Sequence, residues 1–301
     1  MLTRVVSPER DGSGDGPMAV RILVGARLRR LREQSGLTRA AAGEVIRSSE
    51  SKISRMELGR VGFKERDVLD LLTVYGVHDQ QERSTLLARV RQANAPFWWR
   101  TFGDVMPSWF QRYLGLEATA SLIRTYELQF VPGLLQTEEY ARAVVPLGPG
   151  TTHQEEIARR VGLRLQRQQV LSRPDPPKLW AVVDEAALRR AVGGPRVMRD
   201  QLESLIAVIT KMPNVSLQVL PLAAGGHAAA GGSFTILRFP QPEMTDVVYV
   251  EQLTSALYLD GQEDVDAYFD AVNRLSVEAA PVKETERILS RLIDDLDKAL
   301  R

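Results

Sequence analysis

Between positions 24 and 60 the apolar residues recur with a helical period and are cut into short runs by turn residues. Val24, Leu28 and Leu31 fall at i, i+4 and i+7, one stripe of a first helix whose other faces carry Arg27, Arg29, Arg30 and Arg32. Gly36 supplies the left-handed residue that ends it. Thr38 is placed to cap a short second helix with an apolar edge of Ala42, Val45 and Ile46. Ser49 is placed to cap a third, Glu50 to Leu58, in which Ile53 and Met56 point inward. Val68, Leu71, Leu72 and Tyr75 make a fourth stripe, and Asp79 caps a fifth helix with Leu86, Leu87 and Val90 that ends near Ala93. A tight helical pair inside such a bundle has the layout of a helix-turn-helix, whose second helix enters the major groove of DNA.

The side chains left facing outward suit that task. Lys52 and Arg55 are the leading candidates for base contact, because a guanidinium bonds guanine O6 and N7 together and an ammonium reaches the same acceptors. Ser51 and Ser54 suit phosphate or water-mediated contacts, and Ser49 and Glu50 complete the candidate set at the start of the helix. Thr38 and Arg39, opening the second helix, are expected beside the DNA backbone, where free N–H groups and a cation meet a phosphate. The plainer alternative is a solvated basic face. Charge sharpens the picture: the chain of 301 residues carries +1, but residues 21–60 hold ten Lys or Arg against four Asp or Glu, which leaves the remainder at about −5.

Beyond Ala93 the pattern changes twice. Trp98, Trp99, Trp109, Phe110 and Tyr113 crowd one stretch of a chain with 6% aromatic residues, and offer either a ligand or partner pocket or a core plug. Helices are predicted over Leu114 to Tyr126, Gln136 to Val144 (started by Thr137) and Glu155 to Ser172. The last carries Arg160, Arg164 and Arg167 on one face, for DNA, an acidic partner or solvent. From Lys178 onward, strand candidates LWAVV, VSLQVL, SFTILRF, DVVYVEQ and a short SALYL surround a helix near Met198 to Lys211. Two closing helices follow. The last, with Ile288, Leu289, Leu292, Ile293 and Leu296, either covers the sheet or forms a dimer seam.

These patterns predict an N-terminal all-α helix-turn-helix domain of five helices followed by an α+β domain with a small mixed sheet. The expected boundaries are a disordered arm at 1–20, a DNA-binding domain at 21–93, an aromatic junction at 94–103 and a ligand-binding, partner-binding or dimerising domain at 104–301. No cysteine is present, which excludes disulfides, thiolate metal sites and cysteine nucleophiles. His78, His153 and His227 sit in no ligand spacing, so neither a metal site nor a cofactor is expected. The GGHAAAGG loop at 225–232 lacks the GK[ST] ending of a phosphate loop and is expected to be a hairpin connection. Asp184 and Glu185 are expected to start a helix rather than to catalyse. No enzymatic role, no membrane span and a cytoplasmic setting are the resulting expectations.

Several longer strings carry a resemblance: GLTRAAAGE (36–44), SESKISRMELGR (49–60), FWWRTFGDVMPSWFQRYLGLEATA (97–120), FVPGLLQTEEYARAV (130–144), VLSRPDPPKLWAVVDEAALRR (170–190) and VVYVEQLTSALYLD (247–260). Through them the chain resembles the Cro-like (xenobiotic-response-element type) helix-turn-helix regulators of actinomycetes that carry a large C-terminal domain of uncharacterised function. The resemblance implies a sequence-specific transcription regulator of double-stranded DNA, of a kind often antitoxin-like and often paired with a small partner protein, and a homodimer is the expected form. The chain departs from that family in the turn before the third helix, where Arg47 and Ser48 replace a glycine and an apolar residue. Arg47 there implies strain of about 1 kcal/mol in a left-handed position. Gly43 stands where a better helix former is usual, which predicts a marginal second helix.

Overall fold

The computed structural model describes residues 17–148, 153–242 and 244–299, and the chain divides between Ala95 and Pro96 into two compact units. Among the described residues the first unit has five helices: α1 (Pro17–Gln34), α2 (Arg39–Val45), α3 (Glu50–Glu57), α4 (Glu65–Val74) and α5 (Gln80–Ala93). The predicted stripes meet in one core, with Val24, Leu28, Ile53, Met56, Val68, Leu72 and Val90 buried together. The predicted caps also form. Thr38 Oγ1 accepts from the Ala41 amide at 3.1 Å, Ser49 Oγ from Lys52 at 3.2 Å and Asp79 Oδ1 from Glu82 at 2.6 Å. Of the arm expected at 1–20, residues 1–16 lie outside the described residues. Residues 17–20 correct the expectation by opening α1, because Val20 extends the Val24–Leu28 stripe by one more turn and is buried.

The second unit contains a six-stranded mixed sheet. Its elements are α6 (Ser108–Thr119), β1 (Leu122–Glu127), α7 (Glu138–Val144), α8 (Gln154–Gln168), β2 (Lys178–Asp184), α9 (Glu185–Arg189), α10 (Pro195–Lys211) and β3 (Val215–Leu220). They continue with β4 (Phe234–Arg238), β5 (Val247–Glu251), β6 (Ala256–Leu259), α11 (Gln262–Glu278) and α12 (Thr285–Ala299). The strand order is β3-β2-β1-β4-β5-β6, parallel from β1 to β3 and antiparallel from β1 through β4 and β5 to β6. The even residues of β1, Arg124 and Tyr126, face α11: Arg124 bonds Asn273, and Tyr126 shares a core with Val272 and Leu275. The odd residues face α6, whose Tyr113 ring lies 4.2 Å from that of Tyr249 on the same side of the sheet.

Three expectations are corrected in this unit. The helix predicted over Leu114–Tyr126 stops at Thr119, and Leu122–Glu127 forms an interior strand, since neighbours on both edges and layers on both faces outweigh its helical spacing. The GGHAAAGG loop does not close a hairpin, because β3 and β4 are separated by β2 and β1. It carries the chain back across the sheet, with His227 Nε2 3.2 Å from Tyr126 Oη. The arginine face of α8 is turned inward: Arg167 bonds Glu117 at 2.5 and 2.6 Å, Arg164 bonds Gln136 at 2.7 Å, and Arg160 pairs with Glu156 at 2.7 Å. Of the two roles held open for α12, covering applies, since it packs on α10 and β3. Asp184 starts α9 as expected, accepting from the Ala186 amide at 2.8 Å.

Candidate nucleic-acid interface

The pairing of α2 with α3 is set by close backbone approaches that only glycine permits. A Cβ on Gly43 would lie 2.6 Å from the Ser48 carbonyl oxygen, so this glycine is not simply a poor helix former but the residue that lets the turn fold back over α2. Gly25 does the same between α1 and α3, where a Cβ would meet the Met56 oxygen at about 2.4 Å. The turn closes with two hydrogen bonds, Arg47 N to Glu44 O at 3.0 Å and Ser48 N to Gly43 O at 2.8 Å. Arg47 occupies its left-handed position with φ +52°, and among the described residues no other non-glycine has positive φ, as the replacement of glycine here implies.

Beneath the pair lies one buried carboxylate. Glu57, at the end of α3, accepts from Arg32 Nε at 2.5 Å and Nη2 at 3.2 Å, and from Arg39 Nε at 3.0 Å. Arg32 also donates to the Leu37 carbonyl at 2.8 Å, so a single network ties the end of α1, the start of α2 and the end of α3. The hydrogen bond that Arg32 donates to Glu57 holds its guanidinium above its ordinary range. Burial, followed by the charge of Glu57, pushes the Tyr75 hydroxyl up to about 12. This network has no local signature in the sequence: Arg32 and Glu57 are 25 residues apart.

Of the candidate DNA contacts, Ser49, Glu50, Ser51 and Arg55 are exposed on the first turns of α3, and Ser54 is partly exposed beside them. Arg55 bends back only to its own helix, Nε to Ser51 O at 3.3 Å. Lys52 is held differently, with its Nζ 2.8 Å from Asp67 Oδ2 on α4. Thr38 is exposed at the start of α2, whereas Arg39 is partly committed to Glu57. Arg47 and Arg60 are exposed at the two ends of α3 and form no ion pair among the described residues. Sequence spacing passed over both as contacts, although exposed cations flanking a recognition helix are a readable signal.

The aromatic candidates are divided between core and surface. Trp99 is buried with Met106, Leu114 and Leu163, stacked on Phe97 at 4.5 Å, while Trp98 is 37% exposed. Trp109 and Phe110 are partly buried. Tyr113 is fully enclosed, stacked on Phe110 at 5.5 Å and donating to Glu117 at 2.8 Å. Burial, then the adjacent Glu117 charge, raises its hydroxyl far above the ordinary range. Among the described residues no helix is long and apolar enough to cross a membrane.

Two family matches coincide with the two units. Residues 23–86 match a helix-turn-helix domain, and residues 110–291 match a domain of unknown function, DUF5753. No curated protein and no solved structure matches the chain. The second match covers more than half of the sequence, and the chain therefore belongs to the DUF5753 family, joined to an N-terminal helix-turn-helix domain.

Proposed function

We propose that the chain is a sequence-specific transcription regulator of the Cro-like type. It acts as a homodimer that places two copies of α3 in successive major grooves, about one helical turn apart. The observation that carries this reading is α3 itself, capped by Ser49, anchored from the inside by Glu57, and presenting Ser51 and Arg55 to solvent. Arg55 is the principal base reader. Lys52 reaches a base only by leaving Asp67, so its first role is to set the tilt of α3 on α4. The second unit is not a catalyst in this reading. It adjusts DNA affinity by binding a small molecule or a small protein differently in the competent and incompetent states.

An antitoxin-like reading, in which holding a small partner is the main activity and DNA binding provides autoregulation, is favoured by the outer strand β6. It ends the sheet, with Leu257 46% exposed and Leu253, in the preceding turn, 75% exposed, a setting that accepts an added strand. The experiment is selection of binding sites from fragmented genomic DNA with the full chain at physiological salt. An enriched inverted repeat supports the regulator. Absence of any enriched site, restored by co-expressing a small open reading frame beside the gene, supports the antitoxin-like role.

A further inference from the structure

The sheet of the second unit has two edges, and they are finished differently. Along β3 the following chain closes the edge: the Ala280 amide donates to the Val219 carbonyl at 2.9 Å, and the Thr285 hydroxyl to the Leu217 carbonyl at 2.7 Å. Along β6 nothing does so among the described residues. The pairing of β6 with β5 fixes which groups are left over. The Gln252 amide bonds the Ser255 carbonyl at 2.9 Å, so the alternate residues Leu257 and Leu259 bond inward to β5. The N–H and C=O groups of Ala256 and Tyr258 therefore point outward. Neither lysine nor proline, the usual guards of such an edge, stands in Ala256–Leu259.

The two faces of β6 differ in what they offer an added strand. Leu257 and Leu259 lie on the α11 side, and Leu257 is 46% exposed at the edge. Ala256 and Tyr258 lie on the other, where the Tyr258 hydroxyl donates to the Trp109 carbonyl at 2.6 Å. Ala256 stands opposite Glu251, which is exposed, so only a methyl group separates that carboxylate from the edge. A long side chain on an added strand crosses Ala256 and reaches it. Asp260 follows β6 at once, and Glu263 and Asp264 open α11. The helix dipole accounts for the last two. It does not account for the wider run, since residues 239–273 hold eight Asp or Glu and no Lys, Arg or His. Among the described residues Glu251, Asp260, Glu263 and Asp264 are exposed and form no ion pair. A second copy would set these carboxylates against its own, and a phosphate backbone would meet the same repulsion.

We propose that β6 is the docking edge for an extended, basic segment of a partner protein, which adds to the six strands as one more. Backbone bonds to Ala256 and Tyr258 hold the segment. An aliphatic side chain covers Leu257 on one face, and a Lys or Arg placed opposite Ala256 reaches Glu251 on the other. The proposal gives a chemistry to the small partner of the antitoxin-like reading, and rests on that reading only for what the partner does when free.

The test is a titration of the full chain, without DNA, into a labelled β-hairpin peptide closed by Asn-Gly. Its free outer strand reads Lys-Val-Thr-Val-Lys, and being ordered beforehand it loses little entropy on pairing. It is expected to bind roughly tenfold more tightly than the same hairpin with glutamate for lysine, and than one N-methylated at its outer amides. On binding, amide hydrogen exchange is expected to slow at Ala256 and Tyr258, whose donors are otherwise free. Ala256→Pro removes one outward donor and leaves the bonds to β5, and is expected to weaken binding about tenfold. Glu251→Gln is expected to weaken it about threefold, and Glu286→Gln, beside the closed edge, to leave it unchanged. No binding of the basic hairpin, equal binding of the acidic or N-methylated one, or unchanged exchange at Ala256 and Tyr258 overturns the proposal. So does a dimer of the chain that Ala256→Pro converts to a monomer, which gives the edge to a second copy. The hairpin is not the partner, so failure here and failure of the co-expression experiment are read separately.

Discussion

Two glutamates withdrawn from solvent to different degrees, buried Glu57 in the first unit and partly buried Glu127 in the second, have opposite surroundings. Glu57 lies between Arg32 and Arg39, with its side chain 3% exposed and both oxygens taken at 2.5 to 3.2 Å. Glu127 has the Ser233 hydroxyl as a partner and forms no ion pair among the described residues. The contrast is local rather than a property of the units, because Glu117 in the second unit is paired by Arg167 as fully as Glu57 is. A buried charge with all its partners in place is part of the frame, whereas a carboxyl desolvated without an ion pair is held toward its neutral form.

The largest expected effect comes from breaking the closed case. Glu57→Ala leaves Arg32 buried without a counter-charge and is expected to destabilise the helix-turn-helix unit by about 3–5 kcal/mol, read by urea unfolding of the full chain. A loss below about 1 kcal/mol would make the network incidental.

The open case has the opposite sign. The Glu127 carboxyl lies above its ordinary value of 4.5, at about 7, so the native state holds this proton more tightly than the unfolded chain does. Its stabilising contribution is full below pH 4.5 and is lost as pH rises through about 7. Glu127→Gln is therefore expected to match the parent near pH 4.5 and to exceed it by on the order of 1–2 kcal/mol near pH 8. Parallel stability profiles for the two proteins would show that Glu127 has partners enough. Arg164→Met, removing a cation that donates to the Gln136 amide oxygen rather than to a carboxylate, is expected to leave Tm unchanged or higher, the reverse of Arg32→Met.

The smallest effect concerns the turn between α2 and α3. Arg47→Gly relieves a left-handed backbone and is expected to stabilise the first unit by about 1 kcal/mol, offset in part by the greater freedom of glycine in the unfolded chain. If DNA affinity falls at the same time, the exposed arginine is kept for phosphate contact at the expense of stability.

What was legible in the sequence is what is decided within four or five residues. Thr38, Ser49, Asp79 and Thr137 each announce a helix start, and each caps the expected one. The strained turn at Arg47 was legible only through the resemblance, which places a glycine there. What depends on distant chain was not legible. Lys52 reads as a free cation until Asp67, fifteen residues on, is brought against it. Gly43 reads as a weakness until the Ser48 carbonyl is seen to need its space. Leu122–Glu127 reads as the tail of a helix because a strand covered on both faces loses the simple alternation of apolar and polar positions. Arg164 and Arg167 read as a surface stripe, since helical spacing gives which residues share a face but not which way the face turns.

The claim that α3 reads sequence is tested most directly by one comparison of affinities. The full chain and its Arg55→Ala variant are titrated, at one stated salt concentration, against the selected repeat and against random duplex DNA. The variant is expected to lose about 1–3 kcal/mol on the repeat and much less on random DNA, with preference relaxed at one base position in each half-site. Equal losses on both DNAs would contradict the account, making Arg55 a phosphate contact and leaving α3 without its principal reader.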